Sequence, residues 1–213
     1  MNFWKEHFEE RAKIFKELPQ AADHKDRIAF FSTRNALKSL LKDIKAKRIL
    51  DVGCGNGILT DFLTLHNEVF GLDFSFSMLK MAEKKRFIPI MGEASHIPFK
   101  SNRFDYILGI GLLQYVEVET EVVKEMVRVL KPHGTIILSL LHKNSFLRKI
   151  LEWTGKEKLN LKKFSFPKTR SILKSYGIEK ITFKFLAYPL PYSFSRFPLP
   201  LVTTFLVKGE KIA

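Results

Sequence analysis

Cysteine is nearly absent: the 213 residues contain one, Cys54, so no disulfide can form within the chain. The six histidines are scattered, and no HxxxH or CxxC spacing occurs. A zinc site or a metal centre of that kind is therefore not expected. No apolar run approaches the ~18 residues that a spanning helix needs. The N-terminus, MNFWKEHFEERAK, is charged throughout and does not read as a secretory signal. These absences point to a cytoplasmic protein. With 46% hydrophobic and 27% charged residues, the composition is that of a globular domain, not of a disordered or fibrous chain. A length of 213 residues is enough to bury a large single core.

Acidic groups are also in short supply: 36 Lys and Arg stand against 22 Asp and Glu, a net charge of +14. The excess is uneven. Residues 1–48 carry 12 basic and 7 acidic groups, residues 49–141 carry 9 and 11, and residues 142–213 carry 15 and 4. A mildly acidic middle between basic ends admits an anionic partner, whether an anionic membrane surface, RNA or an anionic substrate. A solvated lysine-rich surface accounts for the charge equally simply.

Periodicity changes along the chain. Residues 2–18 and 26–43 repeat apolar positions at helical spacing, with Trp4, Phe8, Phe15 and Leu18 on the first and Ile28, Phe31, Ala36, Leu37, Leu40 and Leu41 on the second. From residue 48 onward short strands alternate with helices. Strands are predicted at 48–52, 68–73, 87–91, 104–110 and 134–140, and helices at 57–65, 75–85 and 117–130. That alternation means βαβ units and a parallel sheet. In the tail, a short amphipathic helix is predicted at 144–154. Another is capped by Ser165, has Pro167 in its first turn and ends near Gly177. Strands follow at 178–187 and 201–208. Four prolines within residues 189–200 exclude a regular element there.

The chemistry concentrates in ILDVGCGNG, residues 49–57, between the first strand and the following helix. Gly53 permits a tight turn, and Gly55 lets a ligand approach the backbone. Asp73 follows Asp51 by 22 residues, at the end of the next strand, where a carboxylate can accept both ribose hydroxyls. A nucleoside is expected across the first two strands. The dinucleotide pattern GxGxxG fails at Ile58, and the GK[ST] of a P-loop is absent. Asp51 directly before the glycines would repel a phosphate and favour an ammonium. An adenosine ligand that carries an amino acid, S-adenosylmethionine, satisfies these demands.

The same motifs resemble the class I S-adenosylmethionine-dependent methyltransferases, particularly the type 11 group that includes ubiquinone and menaquinone methyltransferases. Besides the first motif, GLDFSFSML (71–79), GEASHIPF (92–99), FDYILGIGLLQYV (104–116) and LKPHGTIIL (130–138) resemble the family's successive motifs in order and spacing over residues 30–140. The resemblance implies an α/β, Rossmann-like, doubly wound sheet of seven strands, mostly parallel with an antiparallel last strand, plus N-terminal helices and a lid. The chain is expected to be one domain, 1–213, with a helical cap (1–46), a cofactor-binding core (47–140) and lid segments with the last two strands (141–213).

Roles follow from the resemblance. Gly53, Gly55 and Gly57 shape the cofactor turn, Cys54 is a small packing residue within it, and Asp51 holds the cofactor's ammonium. Asp73 holds the ribose, and Phe74 and Met78 flank the adenine. Glu93 accepts from the adenine amino group, with the Ala94 N–H facing the ring. Ile110 presents backbone to the methionine part. Arg34 either reaches the carboxylate or is a surface arginine. If a general base is used, His142 after the fifth strand is the candidate; Gln114 stands where relatives often carry a histidine. The acceptor is expected to be small or lipid-like and methylated at oxygen or carbon, since aromatic residues and lysines crowd the two lid segments, residues 141–166 and 188–200. Methylation of RNA or protein, and a non-catalytic cofactor-binding regulator, are the alternatives.

Overall fold

The computed structural model describes residues 2–16, 18–22, 27–146, 149, 153, 161–186, 193–194 and 203–213. Most of the predicted helix at 144–154 and most of the proline-rich segment therefore lie outside the described residues. The elements are α1 (Asn2–Phe15), a 3-10 turn (Pro19–Ala22), α2 (Arg27–Leu41), β1 (Arg48–Val52), a second 3-10 turn (Asp61–Leu65), β2 (Glu68–Asp73), α3 (Phe76–Glu83), β3 (Ile88–Met91), β4 (Phe104–Ile110), α4 (Glu119–Val129), β5 (Leu130–Leu141), α5 (Phe166–Ser175), β6 (Ile178–Leu186), β7 (Ser193–Phe194) and β8 (Thr204–Lys211).

The sheet runs β3-β2-β1-β4-β5-β8-β6-β7. Strands β1 to β5 pair in parallel, and β8 inserts antiparallel between β5 and β6. This is the expected seven-stranded sheet with an antiparallel last strand, extended at its edge by the two-residue β7, which pairs with Phe185 and Leu186. A regular element thus does occur within the proline-rich stretch, at two residues that contain no proline. Strand order reverses between β1 and β4, and it is outside the carboxyl ends at such a switch point that open α/β sheets bind ligands.

Alternation along the strands builds two cores. Leu50, Val52, Phe70, Leu72, Ile107, Ile136, Leu138, Phe205 and Val207 face the side covered by α4 and α5. Ile49, Val69, Leu108, Ile110, Ile137 and Leu206 face the side covered by α2 and the second 3-10 turn. Burial on both faces explains why these strands read as continuous apolar runs. Helix α1 lies apart from both cores and packs on α3 through Ala12, Met78 and Met81.

Several predicted boundaries move for local reasons. The helix expected at 57–65 is a 3-10 turn at Asp61–Leu65, because Gly53, Gly55 and Gly57 all take positive φ. The chain then closes through i→i+3 bonds, Thr60 N–H to the Gly57 carbonyl and Leu63 N–H to the Thr60 carbonyl. Helix α1 stops at Phe15 because Lys16 has φ +47°, so Leu18 falls outside it and is exposed. On α2, Ile28 and Phe31 are 44% and 50% exposed, and Phe30 is the buried ring. The last strand lies at Thr204–Lys211, three residues beyond its predicted place.

Candidate active site

The glycine segment leaves β1 and crosses the end of β2: the Gly53 and Cys54 N–H groups both donate to the Leu72 carbonyl, at 2.7 and 3.2 Å. Gly53 and Gly57 have φ of +70° and +74°, conformations that side chains rarely adopt. Space excludes a side chain there as well. A Cβ on Gly53 would meet Leu112 Cδ1 at 2.8 Å, and one on Gly57 would meet Phe87 Cε2 at 2.7 Å. Gly71 is constrained in the same way, since its Cβ would meet Cys54 Sγ at 2.8 Å. Cys54 therefore packs the turn against β2. Burial and the nearby carboxylates of Asp73 and Asp51 push its thiol well above the usual range, so it stays neutral and is a poor nucleophile.

Two carboxylates are buried beside this turn. Asp51, on β1, is 3% exposed, and its Oδ2 accepts from Thr60 Oγ1 at 2.5 Å. Asp73, ending β2, is 7% exposed and accepts from the Gly55 N–H and the Ser75 N–H, both at 2.9 Å. Desolvation raises both: Asp51 to about 7, with the Asp73 charge adding to it, and Asp73 to about 6, with Glu9 adding to it. Among the described residues neither carboxylate has a cationic partner. An uncompensated pair of buried acids beside a glycine turn suits a ligand that brings a positive group and hydroxyls. The donor set thus fits the ribose and ammonium of S-adenosylmethionine.

The remaining predicted cofactor residues gather around the same strand ends. Ser75 caps α3 by accepting the Met78 N–H at 3.2 Å, which fixes the turn that carries Phe74. Phe74 is half-buried, and its ring lies 6.1 Å from that of Phe8 on α1. Met78 is fully buried in the α1–α3 contact, so of these two Phe74 is the one left partly open. Glu93 and Ala94 follow β3, where the Gly92 N–H donates to the Asp73 carbonyl at 3.1 Å and places them beside Asp73. Ile110 closes β4 at the switch point with its side chain in the core.

Two expectations meet a different setting. Arg34 donates to the Ile58 carbonyl and pairs with Asp61 at 2.6 Å. It braces the segment after the glycines from α2 and is half-buried, not a free surface arginine. His142 lies at the end of β5, 3% exposed, with its ring stacked flat on Phe166 at 4.6 Å and edge-on to Phe205 at 6.1 Å. A general base must come within hydrogen-bond reach of the proton that it removes. The ring is enclosed among Phe166 and Phe205 on the α5 side.

Other residues at the site carry weaker sequence signals. Asn56, fully buried within the glycine segment, donates to the Leu18 carbonyl at 3.0 Å and ties the turn to the chain after α1. Trp4 and Phe8 on α1 meet Tyr115 after β4 in edge-to-face contacts, at 4.8 and 5.3 Å. An aromatic roof thus spans from the end of β2 to the end of β4. The helical spacing of Trp4 and Phe8 was visible; their partner was not, because Tyr115 is more than a hundred residues away.

The comparisons with known proteins are consistent with this geometry. A family model described as a methyltransferase domain matches residues 50–138. An uncharacterized protein of Methanocaldococcus jannaschii is 30% identical over 184 residues, covering 85% of this chain and 83% of that one. A demethylmenaquinone methyltransferase of a Geobacillus species is 40% identical over 105 residues, but these are only 44% of either chain. Among solved structures, a SAM-dependent methyltransferase from Thermotoga maritima, described as a possible histamine N-methyltransferase, superposes with a TM-score of 0.78. That match has 23% identity and covers 96% of this chain and 99% of the other, a likeness of fold.

Proposed function

The chain belongs to the class I S-adenosylmethionine-dependent methyltransferases, and from that premise we propose that it methylates a small, flat, apolar acceptor at oxygen or carbon. When bound, S-adenosylmethionine supplies a methyl group on a sulfonium that needs no further activation. The protein's task is then to align an acceptor in line with that methyl and to exclude water, and alignment alone can provide a large part of the rate.

In this reading Asp73 holds the ribose hydroxyls, and Asp51 holds the ammonium directly or through water. Gly53, Gly55 and Gly57 admit the methionine part to the backbone. Glu93 and the Ala94 N–H read the adenine, with Phe74 against its face. The whole chain, 1–213, acts as one domain with residues 1–46 as its cap. The acceptor lies under the roof made by Trp4, Phe8 and Tyr115, and this roof is the observation that carries the choice of a flat apolar molecule. Aromatic walls bind such rings through buried area and edge-to-face contact. The demethylmenaquinone methyltransferase likeness supports a quinone-type ring in particular.

The test has two parts. Calorimetric titration with S-adenosylhomocysteine is expected to show micromolar binding, weakened roughly 30-fold or more by Asp73→Ala through loss of charged hydrogen bonds. Retained affinity in that variant would remove the assigned cofactor site. Label transfer from S-adenosylmethionine is then measured with isoprenoid quinols and small phenols, and separately with RNA. Turnover on the ring compounds supports the proposal; turnover on RNA alone, or on nothing, would refute it.

A further inference from the structure

Between β3 and β4 the chain crosses without a helix, and residues 92–103 include the two predicted to read adenine, Glu93 and Ala94. Such a segment has no ladder to satisfy its main-chain groups, which must find partners elsewhere. Three of them, the Ile97 N–H and the Ile97 and Phe99 carbonyls, find one pair of side chains on α4. Glu125 Oε2 accepts the Ile97 N–H at 3.0 Å. Arg128 donates to the Phe99 carbonyl at 2.8 Å and to the Ile97 carbonyl at 2.9 Å. Its Nε and Nη2 also form a two-point pair with Glu125, at 2.7 and 2.8 Å. The guanidinium and carboxylate therefore act as one rigid clamp on the main chain of residues 97–99.

The clamp has a functional direction. The segment is fixed at its start by the Gly92 N–H on the Asp73 carbonyl, and the His96 N–H closes it on the Glu93 carbonyl at 3.0 Å. Between that start and the clamp lie only Glu93 to His96. An exposed ion pair contributes little by itself. A guanidinium that also holds two backbone carbonyls in fixed directions supplies geometry, which an ammonium cannot reproduce.

We infer that Glu125 and Arg128 are positioning residues for adenine recognition: they hold the 93–99 segment so that Glu93 and the Ala94 N–H stand at the height of the ring. The inference rests on the reading of Glu93 given above. Neither residue touches the cofactor, and their effect passes through the main chain of Ile97 and Phe99.

The experiment compares binding of S-adenosylhomocysteine with that of S-inosylhomocysteine, in which the adenine amino group is replaced by a carbonyl oxygen. The intact protein is expected to prefer the adenosyl ligand, and Glu93→Gln to lose that preference. Arg128→Lys keeps the charge but breaks the fork. It is expected to lower the preference about tenfold, the equivalent of one misplaced charged hydrogen bond, and to weaken the inosyl ligand much less. Glu125→Gln is expected to act in the same sense and serves if Arg128→Lys folds poorly. In both variants the Ile97 amide is expected to exchange faster with solvent. Preference lost in Glu93→Gln but kept in both clamp variants, or equal weakening of both ligands, would overturn the inference alone. Preference unchanged in Glu93→Gln would overturn the reading of Glu93 and this inference with it.

Discussion

Asp51 shows what a single residue contributes to this site and what it costs. Its carboxylate is buried at the end of β1 with one hydroxyl donor, and desolvation lifts it to about 7. A group held this far above the ordinary value of 3.8 destabilises the ligand-free fold at neutral pH. Asp51→Asn is therefore expected to raise the stability of the ligand-free protein at pH 7, by on the order of 1–3 kcal/mol. The same variant is expected to lose most of its affinity for S-adenosylhomocysteine, because an amide does not balance an ammonium. Thermal unfolding and calorimetry on one preparation check both signs. If stability and affinity fall together, the residue is structural. The places of Asp51, Gly53 and Asp73 at the ends of β1 and β2 were legible in the sequence, because a tight glycine turn after a short buried strand admits few residue types. Thr60 and Asn56 were not: any small hydroxyl or amide reads alike until its partner is placed.

Helix α1 lies across the strand ends, from Phe74 after β2 to Tyr115 after β4. It is tied down at several points. Glu9 accepts the Ser77 N–H at the start of α3, Asn56 holds the Leu18 carbonyl, and Trp4 and Phe8 lie on Tyr115. Truncating Trp4 removes part of the roof without touching the carboxylates. Trp4→Ala is expected to cost about 1–2 kcal/mol of stability, below the range for a fully buried ring. It is also expected to raise the acceptor KM severalfold and to leave S-adenosylhomocysteine affinity nearly unchanged. Steady-state kinetics beside calorimetry separates these effects, and an equal loss in both would place Trp4 over the cofactor instead. The sequence showed that α1 was amphipathic, but its period could not say what its apolar face met. Strands β2 and β4 were legible to the residue, because buried β-branched and aromatic runs end abruptly at polar or glycine turns. The 3-10 turn at Asp61–Leu65 was missed because three positive-φ glycines delay any helical closure.

At the scale of the whole molecule, opposed titrations set the pH dependence of stability. Asp51 and Asp73 have raised values of about 7 and about 6. Their contribution is fully present below 3.8 and is lost as pH rises through those values. Glu119 has the opposite sign. Lys168 and Lys162 hold its carboxylate down to about 2, so its contribution is present above 4.5 and is lost as pH falls. That acid links α4 to α5 and to the segment before it, through contacts at 2.6 and 3.1 Å. The ligand-free protein is thus expected to unfold at lower temperature at pH 8 than at pH 5.5. Saturating S-adenosylhomocysteine, which engages the ionised carboxylates, is expected to shrink that difference. Unfolding temperatures across pH with and without ligand provide the check, and equal slopes in the two series would contradict it. Among the described residues no helix is long and apolar enough to cross a membrane.

By itself, the sequence determined the alternation of strands and helices, the glycine turn and the two acids that flank it. Each of these is a local pattern: hydrophobic period, backbone freedom at glycine, and the spacing of one βα unit. The tertiary structure decided what closes the site. It brought α1 across the strand ends onto Tyr115 and set Arg128 under the main chain of Ile97 and Phe99. It also enclosed His142 between aromatic rings. None of these is written in a local window, because each depends on side chains tens to more than a hundred residues apart, which only the packing of helices on the two faces of the sheet brings together.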